Sequence, residues 1–296
     1  MRVRAVPLER LSAVMDEPWV DTNRRPYIRD ETAFVPVAEG YPCDREIDER
    51  RRYAGRGYQM VGDIALTHGR VPTPEETEAI HAWARPSAIL HIAGYDGVMR
   101  TPATVPLFGA SHDVTHHEAG LSYRLDPSRV MFAMGNREEK MRIEACVGSS
   151  VKKSGRAERC ADMFAGIGYF TLPAARGGAA VHAMEINPAS FAYLQENVRE
   201  NGLSARVTPE CGDCRDLLAG VYDRVIMGHF AAQDFLPDAL SHVRRGSVLH
   251  VHSIGGIRSV IGTACRECGM EAEISVRNVK KYAPGRWHMV HDVVIR

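Results

Sequence analysis

Two regimes of apolar spacing meet near residue 156. Before it, short apolar runs are broken by charge and proline. Residues 58–66 alternate as a strand, and 88–93 and 121–125 read as further strands. Residues 73–84 open with Pro74 and acidic side chains, as helices do, and 131–145 predict a helix of mixed polarity. After residue 156, strands are expected at 159–163, 179–186, 206–209, 223–227, 247–252, 273–279 and 289–295. Helices are expected between them at 169–176, 188–201, 235–243 and 257–268. In 188–201, proline sits in the first turn, Phe191, Leu194 and Val198 share a face, and Gly202 stops the run. Alternating strands and helices imply a parallel sheet covered on both faces. The last two strands are close in sequence, so one is expected to be antiparallel.

The strand at 159–163 runs into Asp162-Met-Phe-Ala-Gly-Ile-Gly168, and Glu185 ends the next strand. Gly166 and Gly168 let the backbone turn tightly and approach a ligand without a Cβ in the way. An acidic residue after the second strand suits a ribose diol. A dinucleotide fingerprint wants a third glycine where this chain has Thr171. Phe164 and Ile167 add bulk. The loop therefore suits a nucleoside with a small amino-acid tail, and S-adenosylmethionine (SAM) fits that description. The bare alternative is a tight turn with no ligand.

Three further positions face the same end of such a sheet. Glu185 can accept from two ribose hydroxyls, or be a surface carboxylate at a helix start. In Cys211-Gly-Asp-Cys214, Asp213 can accept from an adenine amine while the Cys214 N–H donates to a ring nitrogen; Asp213 can equally cap a helix. His229, in Gly228-His-Phe230, lies where the reactive end of the cofactor belongs, as an acid–base group or as a wall of the pocket. His250 and His252 alternate on one strand face, and His116 and His117 are expected in a loop.

Composition narrows the classes. The chain has 296 residues, long enough for two domains, with 37 basic and 37 acidic residues and no apolar window of membrane-spanning length. The Met-Arg-Val-Arg start has no apolar signal core, and seven cysteines without such a signal point to a reducing, cytoplasmic setting. Two Cys-x-x-Cys pairs, Cys211/Cys214 and Cys265/Cys268, are too far apart for a zinc ribbon, and no metal is expected. Zero net charge argues against nucleic acid, except through local patches. Three basic clusters stand out: Arg45 with Arg51, Arg52 and Arg56; Arg137, Lys140 and Arg142 with Lys152 and Lys153; and Lys280, Lys281 and Arg286. Residues 49–56 read as an exposed basic connector.

With these residues in view, the chain resembles a family of tRNA-modifying enzymes. The run Arg129-Val-Met-Phe-Ala-Met-Gly-Asn-Arg-Glu-Glu-Lys-Met-Arg142 is similar to the element before the SAM domain in that family. Residues 121–126, the Asp162 loop, Glu185 and Lys281-Tyr-Ala-Pro-Gly-Arg-Trp-His288 match the shared pattern, so the resemblance covers residues 56–296. One branch methylates N1 of guanosine 37 in tRNA. The other is the wybutosine-synthesis aminocarboxypropyltransferase, which moves the 3-amino-3-carboxypropyl group of SAM to 4-demethylwyosine. The methyltransferase branch carries an Asn-Leu-Pro type tripeptide where this chain has Gly228-His-Phe230 after Met227, similar to the aminocarboxypropyl branch. Residues 1–55, with Phe34-Val-Pro-Val37 and Ile47, resemble the short archaeal form of that branch.

The resemblance implies an α/β, Rossmann-like SAM-dependent methyltransferase fold. Its sheet would be mostly parallel and seven-stranded, with a smaller N-terminal α+β domain. The expected organisation is an N-terminal segment at 1–55, an α+β tRNA-enzyme domain at 56–150 and a SAM-binding transferase domain at 151–296. Carried over by position, SAM contacts fall at Ala133, Lys140, Asp162, Gly166, Glu185, Asp213 and Cys214, with His229 the catalytic candidate. The family often has serine at the Ala133 position and arginine at the Lys140 position, so a hydroxyl contact is absent and Lys140 serves as a point charge. The partner implied is the anticodon arm of tRNA-Phe, with the enzyme expected as a monomer away from membranes. The alternatives are the guanine-37 N1-methyltransferase, a non-catalytic SAM- or zinc-containing RNA-binding module, and a methyltransferase of small molecules or proteins.

Overall fold

The computed structural model describes residues 1–47, 53–132, 136–283 and 285–296, and their contacts divide into two compact units, Met1–Ala54 and Gly55–Arg296. Residues 49–52 of the connector expected at 49–56 lie outside the described residues. The first unit is an antiparallel sheet of β1 (Arg2–Pro7), β2 (Tyr27–Arg29), β3 (Thr32–Pro36) and β4 (Arg45–Glu46), in the order β2-β3-β1-β4, with the single turn α1 (Leu11–Val14). Period-2 alternation puts Val6, Ala33 and Val35 into its core with Val20.

The second unit begins with a hairpin. The strand expected at 58–66 is two strands, β5 (Gln59–Val61) and β6 (Ile64–His68), because Gly62 at φ 56° reverses the chain between them. A Cβ on Gly62 would lie 2.6 Å from the Val114 Cβ, so glycine is required there twice over. Thr73 and Glu76 form a reciprocal capping box that opens α2 (Pro74–Ala84). This helix carries the chain to β7 (Ala88–Asp96), parallel to β6, and β8 (Thr101–Phe108) returns as the edge of a four-stranded sheet. A second ribbon pairs β9 (Val114–Glu118) with β10 (Leu121–Leu125). His116 and His117 are therefore on a strand, not in the loop expected for them.

Next comes α3 (Arg137–Ser154), which buries Ile143 and Val147 and stops at the left-handed Gly155. It starts later than the expected 131 and continues nine residues past 145, because Gly148, Ser149 and Ser150 stay helical while Val147 packs. The remainder is β11 (Arg159–Asp162), α4 (Thr171–Arg176), β12 (Ala180–Glu185), α5 (Pro188–Glu200), β13 (Val207–Cys211), α6 (Cys214–Leu217), β14 (Arg224–Met227), α7 (Leu236–Leu240), β15 (Val248–Ile254), α8 (Arg258–Glu267), β16 (Ala272–Ala283) and β17 (Arg286–Ile295). Its seven strands run in the order β13-β12-β11-β14-β15-β17-β16, with only β17 antiparallel to its neighbours. Strand order reverses between β11 and β14, which opens a crevice at the carboxyl ends of the parallel strands.

Each face of the sheet carries a buried core. On one, Cys160, Val181 and Ile226 continue into Leu66, Leu90 and Tyr123 of the earlier elements; on the other, Met184, Val225 and Leu249 meet Leu236 and Ile261. Asn197, fully buried on α5, extends the first contact in polar form. Its Oδ1 accepts from the Arg124 N–H at 2.6 Å, and its Nδ2 donates to the Arg124 carbonyl at 3.2 Å and the Ile167 carbonyl at 2.9 Å. Asn201 repeats the pattern on Ser122 at 3.0 and 2.8 Å. Two amides one helical turn apart thus pair with the open edge of β10 as a strand would. Among the described residues no helix is long and apolar enough to cross a membrane.

Candidate functional site

The crevice is a cavity between the β11 loop, Glu185, the start of α6 and the loop after β14. Gly166 (φ 57°) and Gly168 (φ 105°) hold the β11 loop in conformations that L side chains avoid. A Cβ on Gly166 would also sit 2.6 Å from the Tyr169 ring. The loop is pinned across the sheet, Met163 N–H donating to the Ile226 carbonyl and Ala165 N–H to that of Met184, each at 3.0 Å.

Glu185 organises the centre. Its Oε2 accepts from the Gly166 N–H at 2.7 Å and its Oε1 from the Asn187 N–H at 2.8 Å. Each carboxylate oxygen keeps a second acceptor site, and the residue lines the cavity, as a ribose diol requires. Burial pushes its pKa up, and the two backbone donors oppose that. Asp213 and Cys214 line the cavity beside it. Asp213 also caps α6, accepting from the Arg215 N–H at 2.9 Å, and pairs with the Arg215 guanidinium, which holds its pKa down. The capping and pocket positions of Asp213 therefore coexist. Burial pushes the Cys214 thiol up to about 12, leaving it a neutral wall.

His229 lines the cavity, its ring 5.3 Å from that of Phe164. Its Nδ1 accepts from the Ala231 N–H at 3.2 Å, so the neutral ring carries its proton on Nε2. Burial, with Arg100 close by, lowers its pKa. The imidazole is thus a neutral hydrogen-bond donor, and it takes up a proton only by releasing Ala231.

Two residues expected at the cofactor stand away from the cavity wall. Asp162 is fully buried under the loop, where its Oδ2 accepts from Thr171 Oγ1 at 2.7 Å and its Oδ1 has no partner. It ties β11 to α4. Lys140 faces the earlier elements: its ammonium is 2.7 Å from Glu118 Oε2, among the rings of Tyr123, Phe132 and Tyr169 at 5.1–5.3 Å. A carboxylate 22 residues upstream captures the charge that position alone aims at the donor. Ala133 lies outside the described residues.

Burial pushes the Asp162 carboxyl up to about 7 from an ordinary value near 3.8. Between those values the native state holds a proton that the unfolded chain has released, so this contribution to stability falls as pH rises from about 4 to about 7. Asp162→Asn abolishes it. The variant should gain on the wild type by roughly 1 kcal/mol per pH unit across pH 5–7. Urea unfolding at pH 5, 6 and 7 reads this; parallel curves for the two proteins would refute it.

Arg100 and Asn136 are among the cavity residues that escaped the sequence reading. Arg100, at φ 51° on the turn between β7 and β8, leans on the Tyr95 ring at 5.4 Å, and its buried Nε has no hydrogen-bond partner. Asp96-Gly97 ahead of a second apolar run is the hairpin signal that locates it. Asn187 Nδ2 donates to the Met99 carbonyl at 2.9 Å and holds that turn against the start of α5. Asn136 also lines the cavity with an unpartnered buried Oδ1.

All seven cysteines are free, and among the described residues no three His, Cys, Asp or Glu side chains converge as a metal site. Cys265 is buried in α8, and Cys211 is exposed. The basic clusters also part company. Arg51 and Arg52 lie outside the described residues. In the second cluster Arg142 is paired with Glu139 and Asp292 and Lys140 with Glu118, whereas Arg137, Lys152 and Lys153 are exposed, as are Lys281 and Arg286 of the third.

A model of the TRM5/TYW2 methyltransferase domain matches residues 114–278, more than half of the chain and every cavity element from α3 to β16. The chain belongs to the TRM5/TYW2 family. Within that family it is 33% identical, over 80% of its length and 97% of the relative's, to the tRNA(Phe) (4-demethylwyosine(37)-C(7)) aminocarboxypropyltransferase of Methanocaldococcus jannaschii. Its fold is similar to M. jannaschii TYW2 solved in complex with AdoMet, at TM-score 0.64 and 29% identity, covering 81% of this chain and 99% of that one. Pyrococcus horikoshii TYW2 in complex with MeSAdo compares at TM-score 0.69 and 26% identity, covering 81% and 91%. The TRM5/TYW2 assignment agrees with the Rossmann-like, mostly parallel seven-stranded sheet expected from the sequence.

Proposed function

We infer that this chain transfers the 3-amino-3-carboxypropyl group of SAM to carbon 7 of 4-demethylwyosine at position 37 of tRNA-Phe, releasing methylthioadenosine. The observation that carries the choice of group is the loop after β14. Gly228-His-Phe230 follows Met227 there, and Gly228 and His229 line the cavity across from Glu185.

Glu185 is assigned to the ribose hydroxyls, and Asp213 with the Cys214 N–H to the adenine edge. Met163, Phe164 and Ile186 supply apolar walls. SAM presents three carbons on a sulfonium, and the one in line with the nucleophile reacts, so positioning decides the product. Carbon 7 of the acceptor forms a bond to the γ-carbon of the methionyl chain as the bond from that carbon to sulfur breaks. Sulfur keeps the electron pair and leaves as a neutral thioether, and the ring carbon then passes its proton to water. No side-chain nucleophile is needed. His229 is proposed to orient the acceptor as an Nε2–H donor, and Arg100 offers a guanidinium beside it. The acceptor base must leave its stack to enter the cavity. In this reading residues 151–296 hold the donor, and 56–150 complete the mouth through Met99 and Arg100. The anticodon arm is the part of the tRNA engaged, and free thiols suit a cytoplasmic enzyme.

Incubation with SAM and tRNA bearing 4-demethylwyosine should release methylthioadenosine. S-adenosylhomocysteine instead would assign methyl transfer, and no released nucleoside would leave a non-catalytic binding module.

A further inference from the structure

The β16–β17 hairpin ends beside the cavity and carries an unusual composition. From Ile274 to His291 there is no aspartate or glutamate, while Arg277, Lys280, Lys281 and Arg286 fall within the stretch. The chain as a whole is neutral, so this is a strong local departure. β16 is the edge strand of the sheet, and register shifts at Asn278/Lys280 and Lys281/Ala283 add twist towards the tip. Two large aromatic side chains there remain in water, Tyr282 at 53% exposure and Trp287 at 43%. Burying them inside the fold would stabilise it, so their exposure on a basic ribbon asks for a partner.

The geometry ties the tip to the site. The Tyr282 ring meets Phe230 edge-on at 5.4 Å, and Phe230 meets His288 at 5.1 Å. Phe230 directly follows His229 of the cavity wall. The Arg286 guanidinium lies 5.9 Å from the Tyr282 ring centre, and Lys281 pairs across the hairpin with Trp287. Tyr282 is therefore a flat apolar platform braced from within by Phe230 and flanked by cations.

We propose that this hairpin is the surface that grips the unpaired loop of the RNA: Tyr282 stacks on a nucleobase flanking the flipped target, and Lys281 and Arg286 hold adjacent phosphates. The inference rests on the functional reading above and adds where the acceptor RNA is held. A base must be unstacked to reach the cavity, and its neighbours then lose a stacking partner. An aromatic ring next to the cavity replaces that partner, and cations at its rim match the backbone. A ribbon with four cations and no carboxylate matches a polyanion such as the RNA backbone.

The test uses the full chain with a labelled RNA of the tRNA-Phe anticodon stem and loop. Tyr282→Leu keeps the bulk against Phe230 but removes the π-face. It should weaken RNA binding about tenfold and raise KM for tRNA similarly, with SAM affinity unchanged; Tyr282→Phe should restore both. Lys281→Ala and Arg286→Ala should each lower the slope of log affinity against log salt by roughly 0.7. Unchanged RNA affinity in Tyr282→Leu, with an unchanged salt slope in the two basic variants, overturns the proposal. So would wild-type binding that needs no exposed loop in the RNA. If the wild type releases no methylthioadenosine yet binds the RNA through these residues, the transfer reaction is wrong and the hairpin assignment stands.

Discussion

Glu185→Ala is expected to weaken SAM binding about a hundredfold, roughly 3 kcal/mol. The carboxylate does two jobs in one buried place. It accepts from the Gly166 and Asn187 N–H groups at 2.7 and 2.8 Å, and it offers its remaining lone pairs to the cavity. Alanine removes the proposed ribose acceptor and also leaves two backbone donors without a partner. Hydrogen bonds to a charged acceptor contribute about 1.5–3 kcal/mol each, and stranded donors cost a similar amount. One effect opposes the loss. Burial already disfavours the charged form of Glu185, so its removal relieves a desolvation cost in the free protein. Folding stability should therefore fall much less than affinity. Glu185→Gln keeps one acceptor oxygen and should lie between. Calorimetric titration with SAM and with adenosine separates the contributions, because both ligands carry the ribose. A variant that binds both as tightly as the wild type would remove Glu185 from the sugar.

Glu118→Ala should cost about 3–5 kcal/mol of folding stability, although Glu118 is not among the residues that line the donor cavity. The Glu118 and Lys140 side chains are 9% and 2% exposed, and their charged atoms are 2.7 Å apart. Desolvation pulls the Lys140 pKa down, and the Glu118 carboxylate is what opposes it. Without that carboxylate, the ammonium must stay charged with only the faces of Tyr123, Phe132 and Tyr169 around it, or give up its proton. Either course is unfavourable. Replacing both partners, Glu118→Ala with Lys140→Met, should recover most of the loss, since an apolar pair has no charge to strand. Chemical unfolding of the single and double variants measures the coupling. The double variant also tests the role that family resemblance implies for Lys140: unimpaired SAM affinity makes Lys140 structural, and a loss beyond tenfold puts it back on the donor.

Some of this was open to the sequence, and the reasons are local. β11 and β12 are buried on both faces, so they read as short apolar runs whatever surrounds them. Gly166 and Gly168 announce themselves because glycine adopts a turn at positive φ without strain, and Glu185 because it ends β12 at the cavity. β8 was invisible because Pro102 and Pro106 argue against a strand, which an edge position tolerates. The destinations of Asp162 and Lys140 were equally hidden. Its place in the glycine loop suggested the ligand for Asp162, and the family resemblance did so for Lys140, but partners at Thr171 and Glu118 hold the side chains elsewhere. Arg100 depends on a hairpin whose second strand was missed, so its guanidinium could not be placed beside His229.

Asn197 carries one last implication, for how the molecule comes apart. A single carboxamide grips β10 through Arg124 and the donor loop through Ile167, and the apolar core on that side runs without a break from Val61 to Ile226. Severing the chain near residue 150 would strand these groups and open the core along its length. Gly55–Arg296 should accordingly melt in one cooperative step. Exchange or trimming of the β5–β8 sheet would then disturb the β11 loop with it, so these elements can be inherited only together.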